Sequence, residues 1–294
     1  MAADDSPAGA RRRLRLALRK AREVAGLTQG DVGDALHWSL SKVQRIESGD
    51  VTISVTDLAA LLRLLEVTDA DQVDRMTNDA RLARKRGWWD RAPYRDYLTP
   101  ALSKVVQYEL TASEIRVFQF AVFPGLLQDE KYADAIFTVV EHASAEVRRT
   151  KLEIRMRRKE GVWGREEPPR YLVILDEFLL ERSFSDPSVA VRQFEVLLTL
   201  IRQRPEVIVR LLPKEQARFL LLGAFSIYSF GDEEDAALYR EFSITDEIVH
   251  DTVEVGKYRL RFEQMWELCL SPAATMDVVE AQYAHFRALL SRRG

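Results

Sequence analysis

Residues 26–49 read Gly-Leu-Thr-Gln-Gly-Asp-Val-Gly-Asp-Ala-Leu-His-Trp-Ser-Leu-Ser-Lys-Val-Gln-Arg-Ile-Glu-Ser-Gly, and they carry two sets of helix start and stop signals. Thr28 and Asp31 have the spacing of a capping box, in which each side chain accepts a hydrogen bond from the other residue's backbone. We therefore expect a helix over 29–36. A second set of signals follows directly, so the stretch predicts two short helices joined by a tight turn.

The second helix of this stretch is expected over about 40–48. Ser39 is a preferred N-cap residue, and Gly49 tolerates the left-handed backbone that ends many helices. At 100° per residue, Val43 and Ile46 face a core, and the opposite side is polar. The residues on and beside that outward side are Leu40, Ser41, Lys42, Gln44, Arg45 and Ser48.

The outward side has the chemistry that reads base pairs in the major groove of DNA. Arginine pairs with guanine and glutamine with adenine, and Leu40 suits a thymine methyl group. Lys42 and Gln29 lie at helix ends, where side chains meet phosphates. The predicted DNA-binding residues are Gln29, Ser39, Leu40, Ser41, Lys42, Gln44, Arg45 and Ser48. A polar outer face is equally typical of a solvated helix in a bundle that binds nothing, so the capped pair of helices carries more weight than the face.

Residues 27–29, 41–47 and 49 resemble the helix-turn-helix of the XRE/lambda-repressor-like DNA-binding proteins, over about residues 11–68. The resemblance implies a five-helix bundle that binds double-stranded DNA. His37 departs from the pattern, because many members have a turn glycine there. Histidine tolerates a positive φ better than most residues, so we still expect the turn.

The same resemblance implies one ion pair. An arginine of the first helix pairs with the glutamate of the Arg-Ile-Glu triplet, and here these residues are Arg22 and Glu47. We expect a partly buried pair whose role is orientation more than net stability.

Charge is distributed unevenly along the chain of 294 residues, whose formal net charge is −3. Residues 11–50 carry nine Lys/Arg and five Asp/Glu, a formal charge of +4, which leaves −7 for the rest. A basic module on an acidic body favours a selective DNA-binding protein over an indiscriminate one.

Several classes of site and of localisation are disfavoured by composition. The single cysteine, Cys269, excludes an intrachain disulfide, and no Cys/His cluster has zinc spacing, so we expect no metal and no cofactor. The N-terminus lacks the apolar core of a signal peptide, and no uncharged apolar stretch is long enough to span a bilayer. We therefore expect a cytoplasmic, nucleoid-associated protein without membrane contact.

The domain organisation predicted from the sequence has four parts. They are a disordered tail over 1–10, a helix-turn-helix domain over 11–68, a linker helix over 69–86 and an α+β regulatory or interaction domain over 87–294. In the last part we expect helices over about 100–112, 129–140, 144–160, 187–203, 256–270 and 272–291. We expect strands over about 113–120, 170–175, 207–212, 225–230 and 237–242. The predicted fold class is mainly α, with a mixed helix and sheet C-terminal domain.

No catalytic motif stands in the sequence. The four histidines are scattered, and no nucleophile elbow or phosphate-binding loop is present, so we expect no enzyme activity. An aromatic group is the candidate for a ligand pocket, although such groups are more often plain core. Its members are Trp88, Trp89, Tyr94, Tyr97, Phe118 and Phe120.

The C-terminal part resembles the corresponding domain of actinobacterial regulators of the WhiJ-like type, over about 87–290. The resemblance rests on Gly87-Trp88-Trp89, Glu114 to Phe120, Phe123 to Gln128, Leu175-Asp176-Glu177 and the helix over 258–270. It implies a transcriptional regulator, antitoxin-like in some members and often encoded beside a small partner protein. It implies no ligand and no catalytic residue.

Together these observations predict a sequence-specific DNA-binding transcriptional regulator. Its C-terminal domain is expected to sense a small-molecule ligand or bind a partner protein. We also expect this domain to mediate formation of a homodimer, since one helix-turn-helix module reads few base pairs. The alternative is an antitoxin-like interaction protein whose main role is to bind a small partner protein.

Overall fold

The computed structural model divides the chain into two compact units, Met1–Asp90 and Arg91–Gly294. The residues that the structure describes are 7–49, 51–139, 143–182, 186–231, 235–241 and 245–292. In this part of the chain the predicted fold class is confirmed, with a helical first unit and a second unit built on a mixed sheet.

The described part of the first unit is a bundle of five α-helices. They are α1 (Pro7–Val24), α2 (Gln29–Leu36), α3 (Leu40–Glu47), α4 (Val55–Leu64) and α5 (Ala70–Ala83), followed by a short 3-10 helix (Trp88–Asp90). The bundle closes over one apolar core that includes Leu18, Val43, Leu58 and Met76. Because every one of the five helices has an apolar stripe, burying those stripes against each other explains the bundle.

The boundaries of the first unit differ from the sequence prediction at both ends. Residues 7–10, predicted as part of a disordered tail, belong to α1, and residues 1–6 lie outside the described residues. Helix α5, predicted as a linker, packs Met76 and Ala80 into the core of the first unit. An amphipathic helix buries its apolar face, so α5 extends the bundle, and the boundary falls after Asp90 instead of Arg86.

The second unit has six α-helices and a six-stranded sheet among its described residues. The helices are α6 (Pro100–Glu109), α7 (Glu130–Val139), α8 (Ala145–Trp163), α9 (Pro187–Gln203), α10 (Thr252–Leu268) and α11 (Pro272–Ser291). The strands are β1 (Glu114–Gln119), β2 (Arg170–Asp176), β3 (Val207–Leu212), β4 (Ala224–Ser229), β5 (Ala236–Glu241) and β6 (Asp246–Val249). Strand β6 was not predicted, because it is only four residues long and two of these residues are acidic.

The sheet has the order β3-β2-β1-β4-β5-β6. Strands β1, β2 and β3 run parallel, whereas β4, β5 and β6 join them antiparallel. Side chains alternate between the two faces, so each face has its own core. One face packs on α6, α8, α9 and α11, and the other packs on α10.

The buried side-chain amide of Gln193 holds the segment between β1 and α7 in place. This segment contributes to the larger of the two cores. Gln193 on α9 is fully buried. Its Nε2 donates to the Leu127 carbonyl at 2.9 Å, and its Oε1 accepts from the Asp129 backbone N–H at 2.8 Å. Since buried backbone groups need partners, Gln193 satisfies two groups at the end of the short 3-10 helix Gly125–Leu127 in this segment.

We predict that Gln193→Leu destabilises the second unit by about 3 kcal/mol. The substitution conserves volume but leaves the Leu127 carbonyl and the Asp129 N–H buried without partners. Urea unfolding followed by circular dichroism measures the loss. Gln264→Leu, the same change at an exposed site on α10, is the control and is expected to stay within about 0.5 kcal/mol. Equal midpoints for the two variants would contradict the assignment.

Candidate nucleic-acid interface and cavity

The turn between α2 and α3 is tight and has a local physical cause at each residue. His37 adopts the left-handed conformation, with φ of 54°. The Trp38 N–H donates to the Gly33 carbonyl at 2.8 Å. A Cβ added at Gly33 would lie 3.1 Å from the Trp38 carbonyl oxygen, so glycine allows the two helices to approach. Both caps are formed as predicted: Thr28 accepts from Asp31 N–H, and Ser39 accepts from Lys42 N–H.

Arg22 on α1 pairs with Glu47 at the end of α3. Its Nε donates to Glu47 Oε1 at 2.6 Å and its Nη2 to Oε2 at 3.0 Å. The third nitrogen, Nη1, donates to the Leu27 carbonyl at 2.8 Å. The two side chains are only 13% and 9% exposed. Hydrogen bonding to Glu47 raises the pKa of Arg22, so the guanidinium stays charged.

Gln29 belongs to the same network. Its Nε2 donates to Glu47 Oε2 at 2.8 Å, which gives the glutamate a third donor. This contact ties the start of α2 to the end of α3. The sequence predicted only a phosphate contact for Gln29, and the structure adds a positioning role inside the unit.

The four residues that project from α3 into solvent are Leu40, Ser41, Gln44 and Arg45. Val43 and Ile46 on the same helix are buried, as the helical wheel predicted. Within the described part of the first unit, the side chains of Gln44 and Arg45 have no hydrogen-bond or ion-pair partner. The outward face of α3 therefore presents an amide and a guanidinium to an outside partner.

Other predicted DNA-binding residues have partners inside the unit. Lys42 Nζ lies 3.2 Å from Asp57 Oδ2 and 3.8 Å from the centre of the Trp38 ring. Ser48 Oγ donates to the Arg45 carbonyl at 3.3 Å. Ser39 is engaged as the N-cap of α3.

Part of the basic run in α1 is also used within the unit. Arg13 donates to both carboxylate oxygens of Asp79 on α5, at 2.6 and 3.2 Å. Arg11 Nε donates to the Ala83 carbonyl at 2.7 Å, and its Nη2 lies 3.7 Å from Asp90. These contacts hold α1 against α5. Part of the positive charge of this run is therefore paired within the unit.

The six aromatic residues predicted as a ligand pocket are divided between the two units. Trp88 and Trp89 belong to the first unit. In the second unit, Phe118 and Phe120 pack on the sheet face covered by α10. Tyr97 lines a cavity that lies over the opposite sheet face. Strand alternation separates them, because β1 directs Phe118 away from the side of Ile115 and Val117.

This cavity was not predicted from the sequence. It has a volume of about 440 Å³. It lies over β1, β4 and β5 and is walled by α6 and α8. The elements that line it are far apart in the chain, so only the strand pairing brings them together. Residues from six of them are Val105, Val117, Arg155, Tyr171, Tyr228 and Tyr239. The alternation of Ile115, Val117 and Gln119 in β1 was the available signal that these residues share a face.

A buried ion pair stands in the wall of the cavity. Arg158 on α8 donates to both oxygens of Glu109 on α6, at 2.7 and 2.9 Å. Burial opposes the charged form of Arg158, but the Glu109 carboxylate outweighs it and the pKa of the guanidinium is raised. The pair locks α6 against α8, so it holds two sides of the cavity at a fixed distance.

The residues that the structure describes contain neither a metal-binding cluster nor a membrane-spanning helix. No group of three His, Cys, Asp or Glu side chains is arranged to hold a metal ion. Helices of sufficient length and apolar character to cross a membrane are likewise missing from that part of the chain.

Comparison with protein families gives two matches. A helix-turn-helix domain model matches residues 13–76, which cover most of the five-helix unit. A model described as a domain of unknown function (DUF5753) matches residues 102–281, which is more than half of the chain. Neither a curated protein nor a solved structure matches the chain.

We predict that Arg22→Ala destabilises the first unit by about 3 kcal/mol. It leaves the Glu47 carboxylate nearly buried without its cation and removes the donor to the Leu27 carbonyl. The control is Arg19→Ala, which breaks an exposed pair with Glu23 on the same helix and is expected to cost about 0.5 kcal/mol. Thermal unfolding of both variants gives the comparison, and similar losses would show that the Arg22 pair has no special role.

Proposed function

This chain belongs to the family of the domain of unknown function DUF5753, and from that premise and its helix-turn-helix domain we propose a sequence-specific transcriptional regulator. The observation that carries the proposal is the outward face of α3, where Gln44 and Arg45 are exposed and unpartnered in the described unit. These two side chains have the donor and acceptor patterns that read adenine and guanine in the major groove.

The specificity of this reading depends on how firmly α3 is held. The Arg22 pair with Glu47 and the donor from Gln29 fix the C-terminal end of the helix. The Ser39 cap and the Lys42 contact with Asp57 fix the other end. A rigid helix presents its side chains at one register, which favours discrimination between base pairs over general adhesion to DNA.

We propose that the protein acts as a homodimer and that the second unit mediates both dimerisation and regulation. One helix-turn-helix reads few base pairs, and two-fold pairing doubles the site. The cavity of about 440 Å³ in the second unit is within the size range of small-molecule sites, which supports ligand sensing. In its wall Arg158 and Glu109 are engaged with each other as a buried ion pair, which suits a structural role better than catalysis, and we propose a regulator and not an enzyme.

The second candidate function is antitoxin-like binding of a small partner protein, as in the WhiJ-like regulators that the sequence resembles. The observation that favours it is the outer side of α10, where Val253 and Leu260 are 65% and 60% exposed. These residues are seven positions apart and therefore share one side of the helix. Co-purification of a small protein with the chain, lost in a Val253→Ser, Leu260→Ser double variant, would favour this function.

We predict that Arg45→Ala weakens binding to the selected DNA site by about 1–3 kcal/mol and relaxes preference at one base-pair position. The guanidinium has no structural partner in the described unit, so the free energy of unfolding is expected to change by less than about 0.5 kcal/mol. Selection from a random DNA pool followed by footprinting measures both effects.

The matched control for Arg45 is Arg261→Ala, which removes the same charge from an exposed position of α10. It is expected to leave both the affinity and the preferred sequence unchanged. An Arg45→Ala footprint that matches the unaltered protein in strength and in sequence would refute the base contact.

We predict that a fragment of residues 1–90 folds and binds the same DNA sequence more weakly than the full chain. Its five helices enclose their own core, so it retains the α3 face, but it lacks the unit to which we assign dimerisation. Circular dichroism tests folding, and titration of the selected site tests affinity. An unfolded fragment would place the boundary elsewhere, and an undiminished affinity would remove the second unit from dimerisation.

A further inference from the structure

The floor of the cavity is formed by two neighbouring rows of the sheet. In one row, Val117 of β1 pairs with Ser226 of β4, which pairs with Tyr239 of β5. Ser226 and Val117 are small, so the centre of this row leaves space between the sheet and the helices above it. The side chains of the neighbouring row are large, because Ile115 of β1 lies there between Tyr171 of β2 and Tyr228 of β4. The sheet therefore shapes a hollow bordered by three tyrosines.

These tyrosines supply neutral hydrogen-bonding groups to the cavity. Among the residues that the structure describes, the hydroxyls of Tyr171, Tyr228 and Tyr239 neither donate nor accept a hydrogen bond. Burial raises the pKa of each phenol, so all three remain protonated at neutral pH. Each protonated phenol offers one donor and an acceptor oxygen. Since all three residues line the cavity, their hydroxyls are available to a ligand that enters it.

The cavity is lined by equal numbers of cationic and anionic side chains. Lys151, Arg155 and Arg158 oppose Glu109, Glu241 and Asp246. Glu109 is paired with Arg158, Glu241 accepts from Gln119 Nε2 at 3.3 Å, and Asp246 accepts from Thr99 Oγ1 at 2.5 Å. Because the formal charges of these six residues sum to zero, the cavity has no net charge to offset the hydration that an entering ion would lose.

We propose that this cavity binds an uncharged, mainly apolar small molecule whose carbonyl or hydroxyl oxygens meet the three tyrosine hydroxyls. The inference deepens the proposed ligand sensing by the second unit and rests on it. The apolar skeleton is matched by walls such as Leu102, Val105 and Ile154. The volume corresponds to on the order of 15 water molecules, which sets the size of the ligand.

The test uses the full chain and 6-propionyl-2-(dimethylamino)naphthalene, an uncharged fluorescent ketone of suitable size. We expect one molecule to bind per chain, with its emission shifted to the blue. The anionic dye 8-anilinonaphthalene-1-sulfonate, of similar size, is expected to bind about ten-fold more weakly because its charge must be desolvated. Titration by fluorescence and calorimetry measures both dyes.

Two variants test the location. Ser226→Leu fills the centre of the floor and is expected to weaken binding of the ketone by about ten-fold or more. Tyr228→Phe removes one hydroxyl and is expected to weaken it by about three- to ten-fold. Because that hydroxyl has no partner among the described residues, Tyr228→Phe is expected to unfold at the same temperature as the unaltered chain or higher. It therefore keeps the test decisive even where Ser226→Leu fails to fold.

Matched controls place the same changes outside the cavity. Ser103→Leu adds the same bulk to α6, and Tyr283→Phe removes a hydroxyl that donates to Glu195 on α9. Both are expected to bind the ketone within about two-fold of the unaltered chain. The proposal is overturned when the ketone does not bind, when the sulfonate binds equally well, or when Tyr228→Phe binds as the controls do.

A separate readout distinguishes this inference from the proposed function. The footprint on selected DNA is recorded on the same preparations, without either dye. An intact footprint with no ketone binding refutes the ligand class and leaves the DNA-binding regulator standing. A missing footprint with cavity-dependent ketone binding refutes the regulator and leaves the binding site.

Discussion

An arginine paired through two hydrogen bonds with a nearly buried glutamate organises each unit of this protein. Arg22 and Glu47 join α1 to α3, and Arg158 and Glu109 join α6 to α8. Such a pair adds little net stability, because the free energy needed to remove both charges from water is about as large as the free energy of their attraction. Its effect is geometric: neither charge tolerates burial alone, so two helices are held at one rotation. The first pair determines which side of α3 faces outward. The second pair determines the distance between α6 and α8, and with it the width of the cavity.

The parts of the structure that were predictable from the sequence are those whose cause is local. The capping residues Thr28 and Ser39 act on backbone groups three positions away, and the structure contains both caps. The helix predicted over 187–203 and the strand predicted over 207–212 have the observed bounds, because periodicity is read within one element. The orientation of α3 is likewise a property of its own eight residues once one face is known to be buried.

The cavity was not predictable, because its cause is the pairing of distant strands. Tyr171 and Tyr228 become neighbours of Ile115 only through the register of β2 and β4 on β1. The sequence predicted an aromatic cluster as the ligand pocket instead. Phe118 of that cluster lies on the other face of β1 from Ile115. A run of bulky residues shows that a strand is buried on both sides, but it does not show which side contains a hollow.

The pairing of basic side chains within the first unit explains how an acidic protein is compatible with selective DNA binding. Affinity for any DNA rises with the number of phosphates that basic side chains neutralise. Here Arg13 is paired with Asp79, and Lys42 with Asp57, so these cations are partly neutralised within the unit. A net charge of −3 lowers general attraction to DNA further. The discrimination proposed for α3 then rests on Gln44 and Arg45, whose contacts depend on base identity, more than on the total positive charge.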